Sequence, residues 1–367
     1  MYSQTDIDEA VAAGALSPDA ASALRTYVEA QRHQSTPDEE QFRLITGFND
    51  IFVSIAAAIL LFAVGFIGQW VGERTGLAIE HGPSLLAPLL IAITSWSLAL
   101  FFTAKRRMAL PSIILLLAFV GSVFATAAML FVEGVGSDAF ENNNVMGGAL
   151  IAASGAVSAA AAWFHWKRFR VPITVAAGAA AITALPVGLL VSVLPDTAEA
   201  RNIILGFVLL LGIGTFLFAM WWDSSDRARV TRRSDVAFWL HLLAAPMIVH
   251  PVFTLLGLND GNATVGEGLV VILLYVVLGL TALAVDRRAL LVSALAYVLF
   301  ALNRLFEQLG TVELNVALTA LVIGSALLML SAFWHQAREM VVKPLPASLR
   351  DRLPLVGRPA PIPQPAA

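Results

Sequence analysis

The segment from Asp286 to Gly310, DRRALLVSALAYVLFALNRLFEQLG, is the feature that most restricts the fold of this chain. It contains an apolar stretch of about 20 residues, the length at which an α-helix crosses a hydrocarbon core about 30 Å thick. Arg287 and Arg288 stand at its start, and basic residues mark the cytoplasmic end of a membrane span. The segment therefore predicts a transmembrane helix and its direction.

Apolar segments of this kind recur along most of the chain and predict an all-α, polytopic transmembrane bundle of about ten spans. Of the 367 residues, 58% are hydrophobic and only 13% are charged, whereas an ordinary soluble domain is about 25% charged. Short loops separate the spans, as in a regular in-and-out bundle. The predicted spans are Phe48–Val71, Ser84–Thr103, Ala109–Val132, Val145–Phe164, Val171–Leu194, Ile203–Trp222, Val236–Leu258, Gly268–Val285, Ala289–Leu309 and Asn315–Trp334.

Basic residues are concentrated in alternate loops, and this pattern gives the predicted orientation. Of the 23 Lys and Arg residues, 20 precede the first span, follow an even-numbered span or follow the tenth; the exceptions are Arg74, Arg201 and Arg304. Because cytoplasmic loops are enriched in Lys and Arg, both termini are predicted to be cytoplasmic. The excess of Arg over Lys and the abundant Ala suggest a GC-rich bacterium, and hence a bacterial inner membrane. The opposite loops are acidic, either to gather cations or simply because they lack Lys and Arg.

A basic residue followed by an apolar span recurs at Arg106, Arg168, Arg232 and Arg287. The recurrence indicates either a tandem repeat of helical hairpins or only the charge rule acting on a regular bundle. A true repeat would favour a transporter. The fourth and fifth spans are rich in Gly, Ala and Ser, which let helix backbones approach closely in lipid. These two spans are predicted to be the most tightly packed part of the bundle.

Polar segments flank the predicted transmembrane domain, residues 46–336. Residues 1–45 predict a small cytoplasmic helical hairpin and an acidic linker, with one helix ending at Gly14 and a second capped by Ser17. The hairpin is either a docking module for a protein partner or a plain cap. Residues 337–367 predict a basic, proline-rich cytoplasmic tail, either solvated or lying in its first part on anionic lipid. No cleavable signal peptide is expected, because no charged segment followed by an apolar one opens the chain.

Two polar residues near or within the spans, Asp50 and His241, are weaker candidates for a functional site. Asp50 stands at the start of the first span, where a carboxylate complements the helix dipole. His241 and His250 lie nine residues apart in the seventh span, which places them about 180° apart on a straight helix. They cannot share one metal ion unless Pro246 or Pro251 breaks the helix. A histidine satisfied by a neighbouring helix is the simpler interpretation.

Arg304 and Glu307, near the outer end of the ninth span, form the main candidate site together with His250. Their i, i+3 spacing brings the two charges to one helix face, where they can pair. His250 is expected at nearly the same depth, counted at about 1.5 Å per residue from the cytoplasmic start of each span. The pair is either a structural ion pair, with Arg304 also able to extend toward the outer interface, or a working intramembrane site.

Several classes of chemistry receive no support from the sequence. There is no Cys, so disulfides, thiolate metal sites and cysteine nucleophiles are excluded. The HExxH, P-loop, GxSxG and GxGxxG patterns are missing, which argues against enzymes of familiar kinds. No catalytic residue, cofactor, metal or nucleic-acid partner is predicted. The predicted partners are the lipid bilayer and, through the N-terminal hairpin, another protein; the oligomeric state is open.

The hairpin around Ile7, Gly14, Leu16, Ser17 and Ala21, followed by a train of closely spaced spans, resembles uncharacterised bacterial multi-pass inner-membrane proteins, classed as domains of unknown function. The resemblance covers the whole plan and implies membership and orientation, but no activity. Two functions follow from the residues themselves. The first is a scaffold or partner subunit of a membrane complex. The second is a secondary transporter of a small solute with its site near His250, Arg304 and Glu307.

Overall fold

The computed structural model describes residues 10–24, 48–78, 82–140, 143–227, 229, 231–257, 265–288, 290–292, 295, 298–299 and 315–356. The chain divides into a large compact unit, Arg43–Pro354, and a small one, Met1–Phe42 with Leu355–Ala367.

The described part of the large unit is built from α-helices joined by short loops, with one short 3-10 helix and one isolated bridge between Ala78 and Ser84. This confirms the predicted all-α bundle. The helices are α1 Phe48–Thr75, α2 Leu86–Phe102, α3 Ala109–Val135, α4 Asn144–Phe169, α5 Ile173–Val193, α6 Ala198–Ser224, α7 Arg232–Leu255, α8 Val265–Val285, α9 Asn315–Ala332, α10 Trp334–Val342 and α11 Ala347–Arg350.

Six of these helices are long and apolar enough to cross a membrane, namely α1, α3, α4, α5, α6 and α7. The bent pair α9 and α10 would make a seventh, while α2 and the apolar part of α8 are shorter. These helices are those of a membrane-embedded bundle, as the sequence predicted. Helices α1 to α9 coincide with nine of the ten predicted spans. The remaining one, Ala289–Leu309, lies largely outside the described residues.

Among the helices that the structure describes, α4 and α5 pack most closely together, as their small residues predicted. A Cβ atom added to Gly148 would lie 2.4 Å from the Gly188 carbonyl oxygen, and one added to Gly188 would lie 2.5 Å from the Ala152 nitrogen. At Gly155 the nearest atom would be the Ala181 carbonyl oxygen, at 2.9 Å. The two backbones therefore touch along much of their length, and only glycine fits at these crossings.

Four loops share an unusual backbone at the point where one helix gives way to the next. A residue other than glycine adopts a left-handed conformation in each of them, with φ of 55° at Arg107, 56° at Arg170, 54° at Arg229 and 58° at Asp286. Arg170 and Asp286 lie just past a helix end, and the N–H of each donates to a carbonyl of that helix, as in a left-handed helix C-terminus. The charge rule explains why these loops are basic, but it does not explain the shared backbone turn. A hairpin repeat stays a prediction.

Contacts between these helix ends bring the four loops to one end of the bundle, called here the basic end. Phe102 of α2 and Phe169 of α4 pack against the same buried cluster. Trp166 of α4 and Trp222 of α6 pack together against a second cluster. The loop after α8 joins α6 through the ion pair of Arg287 with Asp223.

After α9 the chain turns by 75° into α10 and folds back on the bundle. Trp334, Arg338 and Val342 are buried, and their i, i+4, i+8 spacing places them on one face of α10. Further along, Arg227 Nε donates to the Leu353 carbonyl at 2.9 Å and its Nη2 to the Arg350 carbonyl at 3.3 Å. The first part of the predicted tail thus belongs to the large unit, whereas residues 357–367 lie outside the described residues.

The described part of the small unit, residues 10–24, agrees with two local predictions. Gly14 is left-handed, with φ of 72°, and its N–H donates to the Val11 carbonyl. Ser17 Oγ accepts from the Ala20 N–H at 3.2 Å, as an N-cap does. The hairpin as a whole, and its use as a docking module, stay predictions because its remaining residues lie outside the described part.

Candidate functional site

Six ionisable side chains are buried together at the basic end, where a membrane protein normally keeps its charges in water. They come from α6, α7 and α10 and from the loops after α6 and α8. None is more than 6% exposed. This group, called here the ion cluster, consists of Asp223, Arg229, His241, Asp286, Arg287 and Arg338.

Asp223, at the end of α6, forms the first half of the ion cluster. Arg287 grips its carboxylate with two N–H groups, at 2.5 Å from Nη2 and 3.2 Å from Nε. His241 Nε2 lies 3.1 Å from Asp223 Oδ2, the oxygen that also accepts from Arg287 Nε. Because an ionised carboxylate can only accept, Nε2 carries the proton in this contact. Arg287 Nη2 also donates to the Ser234 carbonyl at 3.0 Å, which ties the start of α7 to the same arginine.

Asp286, just past the end of α8, forms the second half. Arg229 Nη1 donates to one carboxylate oxygen at 2.7 Å, and Trp334 Nε1 donates to the other at 2.6 Å. Arg338 Nε lies 3.7 Å from that second oxygen, and Arg338 Nη2 donates to the Pro354 carbonyl at 2.8 Å. One carboxylate thus joins the loop after α6, the end of α8 and the face of α10.

The loop between α6 and α7 is folded so that Arg229 points inward. Asp226 accepts from both the backbone N–H and the hydroxyl of Thr231, at 2.9 and 2.6 Å. Thr231 in turn caps α7 by accepting from the Arg233 N–H at 3.2 Å. The left-handed Arg229 lies inside this closed turn, and its Nη2 donates to the carbonyls of Val285 and Asp286 at 3.0 and 3.1 Å.

Pairing makes this burial possible, since an isolated charge out of water costs several kcal/mol. Burial, followed by the nearby positive charge of Arg287, lowers the pKa of the Arg229 guanidinium. The carboxylates of Asp286 and Asp223 act in the opposite direction. Together with the buried carboxylate of Asp226, the three aspartates balance the three buried arginines of the cluster. The charges are therefore matched to one another.

The geometry is that of a clamp. Each of the two carboxylates receives donors from at least two separate helices or loops. Bidentate arginine contacts also fix orientation as well as distance. In the ion cluster, His241 Nδ1 and Arg229 Nε are buried nitrogen atoms without a hydrogen-bond partner. Neither faces a second titratable group at hydrogen-bond distance, so the arrangement favours holding helix ends over passing protons.

The predicted site residues lie in several different places. His241 is fully buried in the ion cluster, whereas His250 is exposed on α7. The prediction that these histidines lie on opposite sides of one helix is therefore confirmed, with the helix continuous through both prolines. Asp50 is buried in the first turn of α1. Arg304 and Glu307 lie outside the described residues, so the site of these two with His250 stays a prediction.

Sequence reasoning counted Arg229, Arg287 and Arg338 as charges of the cytoplasmic loops and tail and missed their burial. A usable signal was present in the acidic residues. Between the predicted spans, the segments on the basic side contain Asp only after the sixth and the eighth span; these residues are Asp223, Asp226, Asp235 and Asp286. Aspartates in loops that are otherwise rich in arginine indicate ion pairs between the two residue types. The carbonyl contacts, by contrast, follow only from the folded backbone.

Metal-binding geometry is not found in the described part of the chain, where no three His, Asp or Glu side chains group together as ligands. Comparison with known protein families, with curated proteins and with solved structures gives no match for this chain. The functional argument therefore depends on the residues and their geometry.

Proposed function

We propose that this chain is an integral protein of the bacterial inner membrane, with about ten spans and both termini in the cytoplasm, and that it acts as a scaffold or partner subunit of a membrane complex. The observation that carries the proposal is the ion cluster. It fixes the ends of α6, α7 and α8 to α10 with buried, fully directed contacts. Helix ends fixed in this way hold the surface at the basic end in one conformation, as a protein that binds a partner there requires.

That surface includes apolar side chains beyond the spans. Met340 on α10 is 72% exposed, and Leu349 on α11 is 52% exposed. The opposite face of α10 is anchored through Trp334 and Arg338, so Met340 is held outward. Exposed apolar groups on an anchored helix, rimmed by polar residues, are typical of protein contact sites. The partner we propose is a protein that binds this face of α10 and α11.

Site-specific photo-crosslinking tests the proposal. A photoreactive amino acid is placed at Met340 or Leu349 in the full chain, expressed at native level, with Leu210 as the control. Leu210, on α6, is 65% exposed and apolar but lies within a predicted span, so it reports contact with lipid. We expect one discrete protein adduct from Met340 and Leu349 and none from Leu210.

The result also separates the two functional classes. Adducts of Met340 and Leu349 with lipid alone, in a chain that purifies by itself, would overturn the scaffold proposal. The transporter alternative would instead be established by solute uptake into vesicles that contain the purified chain. Glu307→Gln should then abolish uptake. The double variant Arg304→Gln/Glu307→Gln should recover folding but not uptake.

A further inference from the structure

We propose that an apolar groove, lined by α8, α9, α10 and described residues from Arg288 to Leu295, binds one anionic phospholipid of the surrounding membrane, with an acyl chain in the groove and the phosphate on Arg288. The groove encloses a volume of about 130 Å³ and is open toward the surface of the bundle. Nearly all of its lining is apolar. This inference requires only that the chain is embedded in a membrane, and it holds whether or not the chain is a scaffold.

The walls of the groove match the depth of one lipid leaflet. Tyr275 of α8 lines the groove ten residues before the helix ends at Val285. At about 1.5 Å per residue, this places Tyr275 about 15 Å below the helix end. The hydrocarbon core is about 30 Å thick, so 15 Å is half of it. The groove thus extends from the level of the headgroups toward the middle of the bilayer, as an acyl chain does.

The mouth of the groove carries a cation that the ion cluster does not use. Arg288 is exposed, and its guanidinium lies 4.9 Å from the centre of the Trp334 ring. Trp334 itself is held by the hydrogen bond from its Nε1 to Asp286. The neighbouring Arg287 points inward to Asp223, so the two adjacent arginines have separate tasks. An arginine stacked on a fixed tryptophan keeps its N–H groups directed at the interface, where a phosphate ester can bind them.

The groove also faces the region where lipid is expected. Val292, which lines it, is 64% exposed, and the neighbouring Leu328 on α9 is 73% exposed. Exposed apolar side chains on membrane helices contact acyl chains. Basic pockets between helices on the cytoplasmic side are the recurrent sites for acidic lipid headgroups. Apolar groove, leaflet depth and terminal cation together select an anionic phospholipid over a zwitterionic one.

The test is lipid binding by the full chain, delipidated in detergent. Phosphatidylglycerol and phosphatidylcholine with the same acyl chains are titrated, and bound lipid is counted by native mass spectrometry while thermal stability is followed by tryptophan fluorescence. We expect phosphatidylglycerol to bind more tightly and to raise the melting temperature more. Arg288→Gln should weaken phosphatidylglycerol binding about fivefold and remove the preference. Arg288→Lys should retain most of it.

Two further variants locate the site. Ser331→Trp would place a large ring in the groove and should weaken the binding of both lipids. Arg233→Gln removes an exposed arginine of the same end and should change nothing. Equal binding of phosphatidylglycerol by Arg288→Gln and wild type, or an equal response to both lipids in the wild type, would overturn the proposal. Competition by inorganic phosphate as effective as that by phosphatidylglycerol would do so too, because the groove would then contribute nothing.

Discussion

Replacing Arg287 by glutamine would leave the carboxylate of Asp223 buried without its main counter-charge. Arg287 is 2% exposed and makes two hydrogen bonds to Asp223 and one to the Ser234 carbonyl. Removing one partner of a buried ion pair costs about 3–5 kcal/mol, because the other charge stays out of water. We expect Arg287→Gln to lower the free energy of unfolding by about this amount. The stability of Arg287→Lys should lie between that of the wild type and that of Arg287→Gln, because lysine keeps the positive charge but cannot make the bidentate contact.

The assay is reversible unfolding in mixed micelles, in which the fraction of a denaturing detergent is raised and the eight tryptophans report the transition. The double variant Asp223→Asn/Arg287→Gln should lose less stability than the two single variants added together, by about 0.5–3 kcal/mol. Folded yield gives the same comparison if Arg287→Gln does not fold.

The matched control is Arg233→Gln, which removes an exposed arginine from the same end of the bundle. A surface change of this kind should alter stability by no more than about 0.5 kcal/mol. The clamp interpretation would be refuted if Arg287→Gln unfolded at the same fraction of denaturing detergent as Arg233→Gln and the wild type.

Three other outcomes are expected. Trp334→Phe keeps the ring but loses the 2.6 Å hydrogen bond to a buried carboxylate, which should cost about 1.5–3 kcal/mol in the same micelle titration. Gly148→Ala should destabilise by about 1–3 kcal/mol because its Cβ meets backbone, whereas Gly147→Ala, which meets nothing within 4 Å, should not. With no native cysteine, Ser137→Cys should react with an impermeant thiol reagent in intact cells and Ser225→Cys should not; the reverse pattern would invert the predicted topology.

The apolar helices and the packing of the α4–α5 hairpin could be predicted from sequence because both depend on local composition. A run of about 20 apolar residues has few alternatives to a membrane helix, since every backbone group must be satisfied within it. Gly148 and Gly155 lie on the same side of α4, and small residues on one side of a membrane helix allow a neighbouring helix to approach closely. The opposite exposure of His241 and His250 likewise follows from helical spacing alone.

The pairings within the ion cluster could not be predicted because its members are distant in sequence. Asp223 and Arg287 are 64 residues apart, and Asp286 and Trp334 are 48 apart. Nothing in the local sequence distinguishes Arg287, which is buried, from its exposed neighbour Arg288. The difference arises from the left-handed turn at Asp286, which directs adjacent side chains to opposite sides.

The sequence distances within the ion cluster also impose an order of assembly. When the ribosome has produced the chain as far as α7, Asp223 and His241 exist, but the arginine that neutralises Asp223 is still to be made. Asp286 finds Arg229 already made, but its second carboxylate oxygen lacks its donor until Trp334 emerges, followed by Arg338. Each half-finished cluster must therefore remain hydrated at the membrane surface, and the ends of α6, α7 and α8 can close only after the last helix has arrived. The arginines keep their loops in water while the helices insert, and they become buried only afterwards. Membrane insertion and final packing are therefore separate steps in the folding of this protein.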